Sequence, residues 1–105
     1  MARTIYKYPV GRPLRRATMS ADYDVILPEA HRVIHVDWQG GMGAGLEPQM
    51  WVEVDTDSAM RPFAFAIVGT GHPVPDGMEH VGTWQEPPFV WHLYEHSLGR
   101  LDIPL

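Results

Sequence analysis

Ten prolines and ten glycines punctuate the 105 residues of this chain, too densely for long helices. Each proline removes a backbone donor and each glycine costs backbone entropy in a helix, so short strands joined by turns are expected. The apolar fraction is 45 %, with four Trp, four Tyr and three Phe, far from the polar, aromatic-poor composition of disordered chains. A chain of this length forms one domain, residues 1–105, around one modest core. The expected fold class is all-β, or β-rich α+β. It is a small antiparallel sandwich or open barrel of six to seven short strands, with at most one or two helical turns.

Alternation of apolar and polar residues places strands at residues 4–10, 31–38, 49–55, 62–68, 79–84 and 89–96, with a weaker one at 15–20. In residues 31–38, Ile34, Val36 and Trp38 share the face expected to be core, opposite His31, Val33, His35 and Asp37. Residues 62–68 carry Phe63, Phe65 and Ile67 on one face and Ala64, Ala66 and Val68 on the other, the pattern of a central strand covered on both sides. Residues 21–30 read as a connection with a single helical turn near Pro28, Glu29 and Ala30. Residues 40–48 form a Gly-rich connection. Residues 97–105 form a C-terminal tail whose Leu101, Ile103 and Leu105 recur at period two, as suits pairing with a sheet edge in this copy or another.

The absence of cysteine excludes a disulfide framework, a thiolate zinc site, an iron–sulfur cluster and a cysteine nucleophile. No window approaches a membrane span and the N-terminus lacks the apolar run of a signal peptide, so a soluble, intracellular protein is expected. The net charge of −5 is unevenly spread: residues 1–20 hold five basic side chains and no acid, whereas the remainder holds thirteen acids against three arginines. The basic segment either faces an anion or is neutralised by the acidic body. Arg15 and Arg16 are its candidate contacts to a nucleotide phosphate, because guanidinium groups bind phosphate bidentately.

Spacing assembles no catalytic set. Gly41, Gly43 and Gly45 do not complete a dinucleotide or P-loop fingerprint and precede a strand instead of a helix. Ser20, Ser58 and Ser97 sit in no nucleophile elbow, and the Asp22/Asp24 and Asp55/Asp57 pairs fit turn chemistry. No cofactor is therefore expected. A metal reading would gather His31 and His35 from one strand with His92 and His96 from another, helped by Asp37 or Glu95.

The turn Gly69-Thr70-Gly71-His72-Pro73 is the sharper candidate. Two glycines permit positive φ and Pro73 holds His72 extended, so Thr70 and His72 would be presented in fixed directions. Tyr6, Tyr8, Trp51 and Tyr94 are expected on faces opposite the core, where aromatics suit a partner or a stacked base.

Four motifs carry a resemblance. The order of Thr4-Ile-Tyr-Lys-Tyr-Pro9, Ile67-Val-Gly-Thr-Gly-His-Pro73, Val81-Gly-Thr83 and Phe89-Val-Trp-His-Leu-Tyr-Glu95 resembles a family of small uncharacterised bacteriophage and prophage proteins. Two departures are the longer connection at residues 40–48 and the extension beyond Glu95. The resemblance implies a phage gene expressed in the host cytoplasm, and transfers no site residue. With no catalytic constellation in the sequence, the expected function is a non-enzymatic accessory protein that binds and modulates a host protein, without a membrane partner. The alternatives are a nucleotide-signal binder and a metal-dependent enzyme using the histidines; self-association is left open.

Overall fold

The computed structural model describes residues 2–10, 20–39 and 48–96. Those residues form seven antiparallel strands in two sheets, with no helix among them and no closure into a barrel. The strands are β1 (Arg3–Pro9), β2 (Ser20–Pro28), β3 (His31–Asp37), β4 (Gln49–Asp55), β5 (Met60–Gly69), β6 (Met78–Glu86) and β7 (Phe89–His96). One sheet has the order β1-β4-β3 and the other β2-β5-β7-β6. The all-β expectation therefore holds, as an open two-sheet arrangement.

The largest departure from the pattern reading is β2. Residues 21–28 are strand, not connection, and in place of a helical turn near Pro28 the strand ends there and a bend follows at Glu29 and Ala30. Tyr23, Val25 and Leu27 point to the core while Asp24 and Ile26 point out, so an alternating pattern was hidden by its aspartates. The bend is fixed from outside, with Glu29 N–H donating to Ala59 O at 2.7 Å and Ala30 N–H to Ser58 Oγ at 3.1 Å. The expected strand at residues 15–20 lies outside the described residues except for Ser20, where β2 begins.

β5 is an inner strand of its sheet, paired with β2 over Met60–Val68 and with β7 over Phe65–Gly69. Phe63, Phe65 and Ile67 fill the core, and Ala66 and Val68 on the opposite face are buried too. Met50, Val52 and Val54 of β4 and Val36 of β3 close the core from the first sheet, and Leu27, Trp84, Trp91 and Leu93 complete it from the second.

β3 traverses the second sheet. At its start the His31 ring packs edge-on against Phe63 of β5, with centroids 4.4 Å apart, and Nε2 meets Glu95 Oε2 of β7 at 2.6 Å. At its end Val36 lies on Gly82 of β6, and Trp38 Nε1–H donates to Gln85 O at 2.8 Å. A β-bulge between Val33 and His35 divides these two halves. The extra residue turns Ile34 outward, 43 % exposed, while Val33 and Val36 face in. The expected core trio of Ile34, Val36 and Trp38 is thereby corrected: strict alternation fails at the bulge.

Candidate functional site

β5 ends at Gly69 in the Gly-Thr-Gly-His-Pro turn. Gly71 adopts φ 91°, a conformation a side chain would strain, and His72 N–H closes the turn on Gly69 O at 3.1 Å. Thr70 N–H donates to Val90 O at 3.2 Å, which ties the turn to the start of β7. β7 leaves the β6–β7 hairpin through the cis Pro87–Pro88 bond. Turn and hairpin enclose a cleft of about 220 Å3 lined by Gly69, Thr70, Pro88, Phe89, Val90 and Trp91. Its aromatic side is Phe89, 47 % exposed, with its ring 5.6 Å from that of Trp91.

Thr70 also ends a chain of hydrogen bonds across the outer face of the second sheet. Its Oγ1 lies 2.8 Å from His92 Nε2, His92 Nδ1 lies 3.0 Å from Thr83 Oγ1, and Thr83 Oγ1 lies 2.7 Å from His80 Nε2. The His80 ring stands edge-on to Tyr94 at 5.4 Å and is 6.1 Å from the His92 ring. Each bond in this chain uses one proton, so the chain is complete with both imidazoles neutral. Burial, with His80 beside it, pushes the His92 pKa below its ordinary value of 6.5 and favours that neutral form. The Thr70 hydroxyl has a second acceptor in Val90 O, at the longer distance of 3.2 Å. Two proton orders satisfy the chain: Thr70 donates to His92 Nε2 with His92 Nδ1–H on Thr83 and Thr83 on His80, or Thr70 donates to Val90 O and His92 Nε2–H, Thr83 and His80 Nε2–H donate in the reverse direction.

Of the residues expected at the site, Thr70 is central to this arrangement, whereas His72 is exposed at the turn tip and takes no part in the chain. Tyr6 and Tyr8 lie elsewhere, on β1. They pair with Val52 and Met50 and so point to the core side, unlike Trp51 and Tyr94, which do point outward. The expectation that all four aromatics face away from the core is corrected for these two. Tyr8 packs against the core, and burial, with Tyr6 adjacent, raises its pKa above the tyrosine value. Tyr6 is 42 % exposed because β1 packs on β4 alone and has little contact with the second sheet. Arg15, Arg16, most of the Gly-rich connection and the C-terminal tail lie outside the described residues.

The four histidines of the metal reading occupy separate environments. His31 is inside, donating from Nδ1 to Pro28 O at 2.7 Å; His35 is outside, 5.5 Å from the Trp51 ring and 3.8 Å from Asp37 Oδ2. The bulge between them puts the two on opposite faces, correcting the same-face expectation. His92 belongs to the threonine chain and the His96 ring lies on Gly77. Among the described residues no three His, Asp or Glu side chains are grouped to hold a metal ion.

Part of the basic N-terminal segment is neutralised internally. Glu53 of β4 receives Arg3 from β1 at 3.6 Å and Arg32 from β3 at 3.0 Å. These three side chains line a shallow depression of about 330 Å3 beside His31.

His80 and Thr83 escaped the pattern reading. A register counted outward from the Pro87–Pro88 turn, pairing Glu86 with Phe89, would have reached Thr83 opposite His92. His80 could not be reached that way. It lies three residues before Thr83, which in a regular strand is the opposite face, and only the bulge between His80 and Gly82 brings both to one side.

A family model described as a domain of unknown function, DUF7352, matches residues 1–101. No curated protein matches the chain, and no solved structure does. Among the described residues no helix is long and apolar enough to cross a membrane.

Proposed function

We propose that this chain, which belongs to the DUF7352 family, is a phage accessory protein that binds and modulates a host protein in the host cytoplasm. The phage and host parts of this reading are supported by the order of the four sequence motifs. The docking part is supported by one observation: the Gly69 turn and the β6–β7 hairpin build a cleft of about 220 Å3 with an exposed aromatic wall. That volume is below the roughly 300–1,000 Å3 of small-molecule pockets and suits one large apolar side chain inserted by a partner. Binding energy in protein interfaces concentrates on such anchors, with near-neutral contacts around them. Phe89, Pro88 and Val90 supply the apolar contact, and Thr70 supplies a polar rim.

The decisive comparison is a cross-linking pull-down from host lysate with wild-type protein, Phe89→Arg and a control at another exposed apolar residue, Ile26→Arg. A stoichiometric partner retained by wild type and Ile26→Arg but lost by Phe89→Arg is expected. Retention by all three variants would move docking away from the cleft, and no partner at concentrations well above the expected affinity would remove the reading.

A further inference from the structure

The hydroxyl–imidazole pair at the edge of the cleft has a chemistry that docking does not use. We infer that Thr70 is a nucleophile activated by His92, and that the site transfers small acyl groups from activated esters. A nucleophilic hydroxyl needs a base within hydrogen-bond reach and a third group that orients the base. Thr70 Oγ1 to His92 Nε2 at 2.8 Å is the first requirement, and His92 Nδ1 to Thr83 Oγ1 at 3.0 Å is the second. Thr83 is in turn held by His80 Nε2 at 2.7 Å.

Two further features fit acyl transfer. The backbone N–H of Gly71, the residue after the nucleophile, meets no acceptor among the described residues, and the φ of 91° at Gly71 sets the turn that displays it. A free N–H at that position is where acyl-transfer sites stabilise the developing oxyanion. Pro88 and Val90 line the cleft with Thr70, Val90 on the same face of β7 as His92, and would hold a short acyl group. A neutral His92 is the form able to accept a proton, and its lowered pKa keeps that form present at neutral pH.

In the reaction Thr70 Oγ bonds to the ester carbonyl carbon while its proton moves to His92 Nε2. The tetrahedral adduct collapses by breaking the bond from carbon to the leaving oxygen, and the alcohol leaves with the proton from His92. Water then attacks the acyl-threonine with His92 again taking and returning the proton, which releases the carboxylic acid and restores Thr70. Thr70 and His92 are the catalytic residues. Thr83 and His80 are positioning residues.

The test uses p-nitrophenyl acetate and locates the acetyl group by peptide mass spectrometry, because exposed imidazoles release nitrophenolate without marking Thr70. In samples acid-quenched before deacylation, wild type and Thr70→Ser are expected to carry acetyl at position 70, and His92→Ala to acquire it about 10²–10⁴-fold more slowly. Thr83→Val should slow acetylation and shift its pH profile, with both effects reversed in Thr83→Ser. Acetyl found only on Lys7 or on histidines, or equal labelling of position 70 in wild type and His92→Ala, would overturn the assignment. No partner protein enters this experiment, so a negative result leaves docking at the cleft standing, and loss of docking leaves the acetylation result standing.

Discussion

Val36 and Gly82 meet so closely across the two sheets that a Cβ at position 82 would stand 2.2 Å from Val36 Cγ2 and 2.7 Å from Val36 Cβ. Glycine is required there by the approach of β3 to β6. Both strands carry a bulge nearby, between Val33 and His35 and between His80 and Gly82, and bulges bend and twist a strand toward such a crossing. The same contact lies near the end of β3, where Trp38 bonds Gln85 O, and beside the bulge that displays His80.

Gly82→Ala is accordingly expected to destabilise the fold by at least the roughly 1–3 kcal/mol typical of overpacking. Chemical denaturation is the check. Val36→Ala in the same chain should recover part of the loss, since it removes the nearer of the two clashing atoms; strict additivity of the two substitutions would contradict the contact.

His31 and Glu95 form a buried pair that joins β3 to β7, with 1 % and 10 % of their side chains exposed. Removing one member of a buried pair costs about 3–5 kcal/mol, because the other is left in a low-dielectric site. Glu95→Ala should lose stability on that scale and Glu95→Gln less. A double-mutant cycle with His31→Ala should show coupling of about 0.5–3 kcal/mol.

Stability should fall on mild acidification through His92. Its folded pKa lies below 6.5, so the unfolded chain takes up this proton first as the pH drops. The contribution is complete above about 6.5, declines as the pH falls below that value, and is fully lost once the folded state also protonates. Imidazole ¹⁵N shifts followed by NMR would show His92 protonating below the ordinary histidine range; a normal or raised midpoint would refute the environment described for it.

Ile34 and Leu27 separate pattern from position. Ile34→Thr on the bulge is expected to shift stability by no more than about 0.5 kcal/mol, as for other exposed sites. Leu27→Ala, at a fully buried residue that the pattern reading left in a connection, should cost about 2–5 kcal/mol. Thermal melts of the two variants side by side decide between burial and alternation as the guide.

Much of the β architecture was legible from local pattern. Phe63, Phe65 and Ile67 alternate with small residues and lie on an inner strand, and the spans of β4 and β7 agree with the pattern at both ends. Pattern failed at β2, where Asp22 and Asp24 read as turn residues although the segment is strand with Asp24 facing out, and at β3, where one inserted residue reversed the faces. The candidate site was half legible. Thr70 and its turn stand out through glycine and proline chemistry, whereas His92 reads in the sequence as a candidate metal ligand with His31, His35 and His96, and no local pattern marks His80.

What the sequence determined by itself follows from short-range physics. Glycine and proline density excluded long helices, period-two hydrophobicity placed most strands, and the absence of cysteine removed whole classes of chemistry. The tertiary structure alone decided which strands pair, since β1 and β3 flank β4 while β5 and β6 flank β7. It alone set the bulges that reverse a face without altering composition, and with them the meeting of Thr70, His92, Thr83 and His80. Alternation along a strand has a fixed period, but a bulge is selected by how two sheets cross, and that is a property of residues distant in the chain.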